Sequence, residues 1–185
     1  MRRSLLWGAL AGAAYAVMAT RPARIRISVP AEGSPEDLMH LVEQVEREPE
    51  LIPFVEAVKV RSRDEDSVQY RVEVSVGGIP GWAEFHKRIC PEEGHAEWVT
   101  CEATLHFDQR GRIFCEEKEG KRFLSLVTDT RFHLPVVGQI LAHLSTPVLT
   151  YAFGEWLFRL NRAVSANGST ESGGIGALAV DPVVA

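Results

Sequence analysis

From Leu134 to Val164 the chain reads LPVVGQILAHLSTPVLTYAFGEWLFRLNRAV, mostly apolar and without a run of charges. As a helix, about thirty residues at 1.5 Å each span about 45 Å. Such a helix is too apolar to lie alone in water. Gly138, His143 and Pro147 make it a poor membrane span. Other parts of the chain must wrap it. Most of the preceding sequence reads as short strands, so the expected architecture is α+β: a curved antiparallel sheet gripping one long C-terminal helix.

The long stretch carries two apolar stripes. Val137, Ile140, Leu141 and Leu144 form the first; Leu149, Ala152, Phe153, Trp156, Leu157, Leu160 and Val164 form the second. At about 100° per residue the second stripe is rotated from the first by roughly 90° or more. The break falls at Ser145-Thr146-Pro147. Proline removes a helical hydrogen bond and crowds the preceding turn, so a kink is expected there, or a restart capped by Ser145 or Thr146.

Upstream, Ile25, Ile27 and Val29 alternate with Arg24, Arg26 and Ser28, the pattern of a half-buried strand. Ser34 as N-cap, Pro35 at the first helical position and Asp37 in the capping-box slot open a helix carrying Leu38, Leu41, Val42 and Val45. Glu48-Pro49 is expected to break it, with a short second turn over Glu50 to Phe54. Strands follow at Val55 to Arg63, Val68 to Val76, Trp82 to Cys90, His95 to about Ala103, Arg112 to Glu116 and Lys121 to Phe132. Turns are expected at Asp64–Asp66, Gly77–Gly81, Pro91–Gly94, Asp108–Gly111 and Lys118–Gly120. Six or seven strands at this spacing predict one antiparallel sheet.

A chain of 185 residues is long enough for one domain with a real core. With a net charge of −5, nothing predicts the basic face of a nucleic-acid binder. Cys90, Cys101 and Cys115 form no CxxC and have no His at metal-ligand spacing, so they read as small core residues and no metal site is expected. Nothing in the residues calls for a cofactor. At the N-terminus (1–20), Arg2 and Arg3 precede an apolar run from Leu5 to Ala19. Fifteen residues of helix span about 22 Å, less than the roughly 30 Å hydrocarbon core. That length suits the core of a cleaved export signal. It also suits an uncleaved anchor, extended by Trp7, Tyr15 and the flanking arginines. The chain is therefore expected at a membrane through residues 5–19, or exported after cleavage. Ser165 to Ala185, rich in Gly, Ser and Ala, reads as a disordered tail (165–185).

Three segments carry a family likeness. SPEDLMHLVEQVEREPELIPFVEAVKV (Ser34 to Val60) has a helix, then Pro-x-hydrophobic-Pro, then a strand. EWVTC (Glu97 to Cys101) is a strand centred on Trp98. TDTRFHLPVVGQILAHLSTPVLTYAFGEWLFRLNRAV (Thr128 to Val164) runs from a strand through Leu-Pro into the long helix, with a mid-helix Pro. Over 24–164 the chain resembles the START-like helix-grip (SRPBCC) superfamily, in its polyketide cyclase/dehydrase and coenzyme-Q-binding branch. The resemblance implies a helix-grip fold with a long, Pro-kinked C-terminal helix. It also implies a cavity for an apolar ligand such as a lipid, a quinone or a polyketide-like compound. Val72, Val74, Phe85 and Trp98 on the sheet, with Leu141, Leu149, Phe153 and Trp156 on the helix, are the residues expected to line it.

Chemistry is sparsely signalled. Glu84, His86 and Arg88 alternate on one face of a strand, and facing a cavity they would be a carboxylate, a base and a cation in a row. The opposite face, Ala83, Phe85 and Ile89, is more apolar and is expected inside. Lys87 shares that face, with its stem buried and its charge at the rim. His106, His133 and Asp129 read as isolated. No catalytic residue is therefore assigned. The first functional reading is a ligand-binding or shuttling domain. A cyclase/dehydrase-type enzyme and a protein-interaction module are the alternatives.

Overall fold

The computed structural model of the chain describes residues 22–76, 78–104, 107–133 and 137–168, with the backbone alone for 137–143 and 167–168. The expected anchor or signal (1–20) lies outside these residues, as does the tail beyond Gly168. Seven strands are described: β1 (Ala23–Pro30), β2 (Val55–Arg63), β3 (Ser67–Val76), β4 (Ile79–Cys90), β5 (His95–Ala103), β6 (Phe107–Lys118) and β7 (Lys121–Phe132). They form one antiparallel sheet in the order β1-β7-β6-β5-β4-β3-β2. Between the two edge strands, the chain crosses through α1 (Pro35–Glu43), a 3-10 turn (Val45–Arg47) and α2 (Glu48–Leu51). The long helix, α3 (Val137–Gly168), packs against β1, β7 and α1. Among the described residues no helix is long and apolar enough to cross a membrane.

Local chemistry accounts for most of these elements. In β1, Ile25, Ile27 and Val29 are buried while Arg24 and Arg26 are exposed. Ser34 caps α1: its Oγ accepts from the Asp37 backbone N–H at 3.1 Å and donates to the Asp37 carboxylate at 2.7 Å. The helix ends before the expected break. Gln44 leaves helical geometry with ψ at 70°, and Pro49 sits in the first turn of α2, where its missing N–H costs nothing. The sheet and α3 enclose a core in which Leu38, Val45, Ile113, Leu124, Leu126, Leu157 and Leu160 have no exposed surface. Burying each such side chain contributes about 1.5–3 kcal/mol relative to leaving it in water.

Four expectations need correction. Asp108–Gly111 is not a turn but the start of β6, and Gly111 is there because Trp98 lies over it. A Cβ at Gly111 would stand 2.1 Å from Trp98 Cζ2. Ile79, Pro80 and Gly81 likewise belong to β4. No second helix begins at Pro147: α3 runs through it as one element and on to Gly168, past the expected end at Val164. The hydrogen bond lost at proline is offset by packing, since Ala152, Phe153, Trp156, Leu157, Leu160 and Val164 are all buried. Nor are the cysteines all core residues: Cys101 is exposed and Cys90 half-buried, while Cys115, also half-buried, packs against the core.

Candidate functional site: a cavity under the long helix

Between the sheet and α3 lies a cavity of about 270 Å³, open on one side. An engineered cavity of about 150 Å³ already binds benzene, so this volume is large enough for a two-ring molecule. Its wall is almost wholly apolar. Val72, Val74, Phe85, Trp98, Leu149, Phe153 and Trp156 all line it. The side chain of Leu141 lies outside the described residues. Sheet geometry brings these residues together: Tyr70 faces Phe85 across β3 and β4, Val72 faces Ala83, and Lys87 faces Trp98 across β4 and β5. Trp98, Phe153 and Trp156 form a three-ring cluster with centroid separations of 5.9–6.4 Å. Edge and tilted contacts at these separations are favourable for aromatic quadrupoles.

Three polar groups gather at the inner end, and the sequence did not single them out as a unit. Lys87 is 1% exposed, and its Nζ donates to Glu48 Oε1 at 2.6 Å and to the Val42 carbonyl at 3.2 Å. Tyr70 Oη donates to the same Glu48 oxygen at 2.9 Å. The Lys87 ammonium also lies over the Tyr70 ring at 5.2 Å and the Trp156 ring at 5.6 Å. Lys87 thus does not reach the rim as expected. It stays inside because Glu48, on α2, brings a carboxylate to it. A buried charge without a partner is prohibitive, whereas a hydrogen-bonded pair is tolerated. Spacing hid this arrangement, because the two partners are 39 residues apart on different elements.

Burial, reinforced by the Glu48 charge and the hydrogen bond to it, pushes the Tyr70 hydroxyl well above the ordinary tyrosine range. In the unfolded chain a tyrosine ionises near pH 10, while folded Tyr70 holds its proton to higher pH. The stability this contributes is therefore present below about pH 10 and is lost as pH rises through the folded value. Urea unfolding of wild type and Tyr70→Phe at pH 8, 10 and 11 tests this. Above pH 10 the wild type should lose up to about 1.4 kcal/mol per pH unit more than Tyr70→Phe. Parallel curves would remove Tyr70 as the cause.

A second polar chain braces the wall. Trp98 Nε1 donates to Gln109 Oε1 at 3.2 Å, and Gln109 Nε2 donates to Thr130 Oγ1 at 3.1 Å. At the open side Phe54 adopts a left-handed backbone (φ 72°), and its ring lies 6.2 Å from that of Tyr151 on α3. For a bulky residue this conformation costs about 1–2 kcal/mol.

The row Glu84, His86 and Arg88 is on the outer face. Glu84 meets Arg61 and Arg71, Arg88 meets Asp66, and His86 is exposed. None of the three lines the cavity, so the arrangement that the enzyme alternative required does not form. His133 and Asp129 are not isolated: His133 pairs with Asp108 at 2.6 Å, and Asp129 takes two hydrogen bonds from Arg24. His106 lies outside the described residues.

A family model described as polyketide cyclase/dehydrase and lipid transport matches residues 31–160. No curated protein matches the sequence. Among solved structures, TTHA0849 from Thermus thermophilus is similar at 17% identity and TM-score 0.68, over 79% of this chain and 99% of that one. An aromatase/cyclase from Streptomyces sp. R1128 is similar at 14% identity and TM-score 0.68, over 78% and 97%. A START superfamily protein from Mycobacterium smegmatis is similar at 19% identity and TM-score 0.60, over 76% and 98%. At these identities the likeness shows the fold alone.

Proposed function

This chain belongs to the polyketide cyclase/dehydrase and lipid transport family of START-like domains, and on that premise we propose that it binds or shuttles an apolar small molecule while held at a membrane through residues 5–19. One observation carries the ligand reading: a cavity of about 270 Å³ whose wall is apolar except for a few polar groups, of which Glu48, Lys87, Tyr70, Trp98, Gln109 and Thr130 are bonded to one another and the buried Trp156 indole N–H has no partner. Filling that space with water would leave most of the water's hydrogen bonds unmade, whereas an apolar molecule makes dispersion contacts with every wall. Glu48, Lys87 and Tyr70 carry no net charge together when the pair is ionised and the phenol protonated, which favours a neutral ligand. An added anion would be desolvated without a free cation to meet it. The membrane reading is supported by the apolar run itself, which would give a protein handling a poorly water-soluble molecule direct access to its source.

The test is titration of the purified chain with the neutral fluorophore N-phenyl-1-naphthylamine, with native mass spectrometry of protein taken from its own host. Wild type should bind the fluorophore. Ala152→Phe, which projects a ring from α3 into the cavity, should weaken binding at least about tenfold. His86→Ala, on the outer face, should change binding less than about twofold. A wild type that takes up neither fluorophore nor host molecule would sink the reading.

A further inference from the structure

The cavity has a direction. In the sheet's register, the start of β1, the end of β7, the start of β6, the end of β5, the start of β4, the end of β3 and the start of β2 all lie at one end. Cavity-lining residues change along that axis. Tyr70, Lys87 and Trp98 at the inner end are buried, while Val76, Thr104 and Phe54 at the strand-terminal end are exposed. The mouth therefore opens at this end.

Five of the eight exposed large hydrophobics among the described residues lie at this same end. They are Phe54, Val76, Ile79, Leu144 and Tyr151. Val76 and Ile79 face each other across β3 and β4, and Phe54 touches Tyr151. Ile79 is 73% exposed, Leu144 65% and Tyr151 56%. Scattered apolar residues are ordinary on a surface, but a group of them around one opening marks an interaction site.

The apolar run of Leu5 to Ala19 precedes in sequence a strand, β1, that starts at this end. β1 begins at Ala23, whose partner is Thr130 on the cavity wall. The four residues from Thr20 to Ala23, even fully extended, span at most about 14 Å. The last residue of the apolar run is thus held within one short tether of the start of β1, at the mouth end of the sheet. Lys87, at the inner end, lies eight residues along β4 from Ile79, about 27 Å away.

We propose that the rim of Phe54, Val76, Ile79, Leu144 and Tyr151 rests on a lipid bilayer, so that the ligand passes between membrane and cavity without crossing water. The proposal rests on the membrane reading given above and adds which surface faces the lipid. Aromatic and aliphatic side chains around an opening are the chemistry that sits at a headgroup–acyl boundary.

The experiment uses the full chain with p-benzoyl-phenylalanine at Ile79, Tyr151 or Val99, reconstituted in phosphatidylcholine vesicles, irradiated and analysed by mass spectrometry. Val99 is exposed and apolar but sits in mid-β5, away from the mouth. Lipid adducts at positions 79 and 151, and none at 99, are expected. In parallel, Ile79→Asp should slow uptake of N-phenyl-1-naphthylamine from vesicles about tenfold, with its affinity in buffer unchanged. Chain that floats with vesicles yet gives no adducts at 79 and 151, equal adducts at 99, or crosslinks to a second protein copy overturns the proposal and leaves the membrane reading standing. Chain that does not float with vesicles overturns both. Adducts at the rim without any fluorophore uptake support the orientation and remove the apolar-ligand reading instead.

Discussion

Lys87→Met is expected to lower the unfolding free energy by about 3–5 kcal/mol, and adding Glu48→Gln to it should restore most of that loss. The single change strands a carboxylate that is 5% exposed, and its remaining hydrogen-bond partner is the Tyr70 hydroxyl. The double change leaves two neutral side chains of nearly the original volume. Denaturant unfolding with the slope checked for constancy measures both, and the coupling energy of the cycle isolates the pair. A single variant costing under about 1 kcal/mol would mean that solvent reaches Glu48 and that the pair is a surface contact. The consequence extends beyond stability. Glu48 sits on α2 and Lys87 on β4, so this pair, with Tyr70 on β3, ties the crossover segment to the sheet beside the cavity.

Gly111→Ala is the second large effect, at about 1–3 kcal/mol for the forced displacement and about 0.5–1.5 kcal/mol more for the hydrogen bond it endangers. A methyl there would stand 2.1 Å from Trp98 Cζ2 and 2.3 Å from Cε2. The indole has little freedom to yield. It is held by Gln109 on one side and by the Phe153 and Trp156 rings on another. The space it can move into is the cavity. Gly111→Ala should therefore weaken binding of N-phenyl-1-naphthylamine as well as lower stability, whereas Gly120→Ala, in a surface turn, should affect stability alone. Unchanged binding in Gly111→Ala would show that Trp98 does not limit the cavity.

Much of the architecture was legible because it rests on short-range patterns. Alternation in Arg24–Val29 and Val68–Val76, the Ser34 cap, and the second apolar stripe of the long helix each encode a local element and its buried face. The inward face of Ala83, Phe85 and Ile89 was readable for the same reason. What was hidden depends on residues distant in sequence. Gly111 reads as a turn until Trp98, thirteen residues earlier in the chain, is seen to cover it. Lys87 reads as a rim charge until Glu48 arrives from another element. Pro147 reads as a restart because the tertiary packing that carries the helix through it is not written next to it. Whether the space between sheet and helix is filled or hollow depends on the summed volumes of more than twenty side chains, a quantity that no local pattern carries.

The order of strands in the sheet also bears on how the protein is made. β2 to β7 are each adjacent to their neighbours in sequence, so they can pair hairpin by hairpin as the chain grows. β1 has only β7 as a partner, with Ala23 against Thr130. At about 5–20 residues per second, the ribosome needs roughly 5–20 seconds to make the intervening hundred residues. For that interval Ile25, Ile27 and Val29 have no strand to pair with. Within this domain the nascent chain is thus most exposed to misassembly at β1, and shielding that strand until β7 emerges should matter more to yield than the later hairpins.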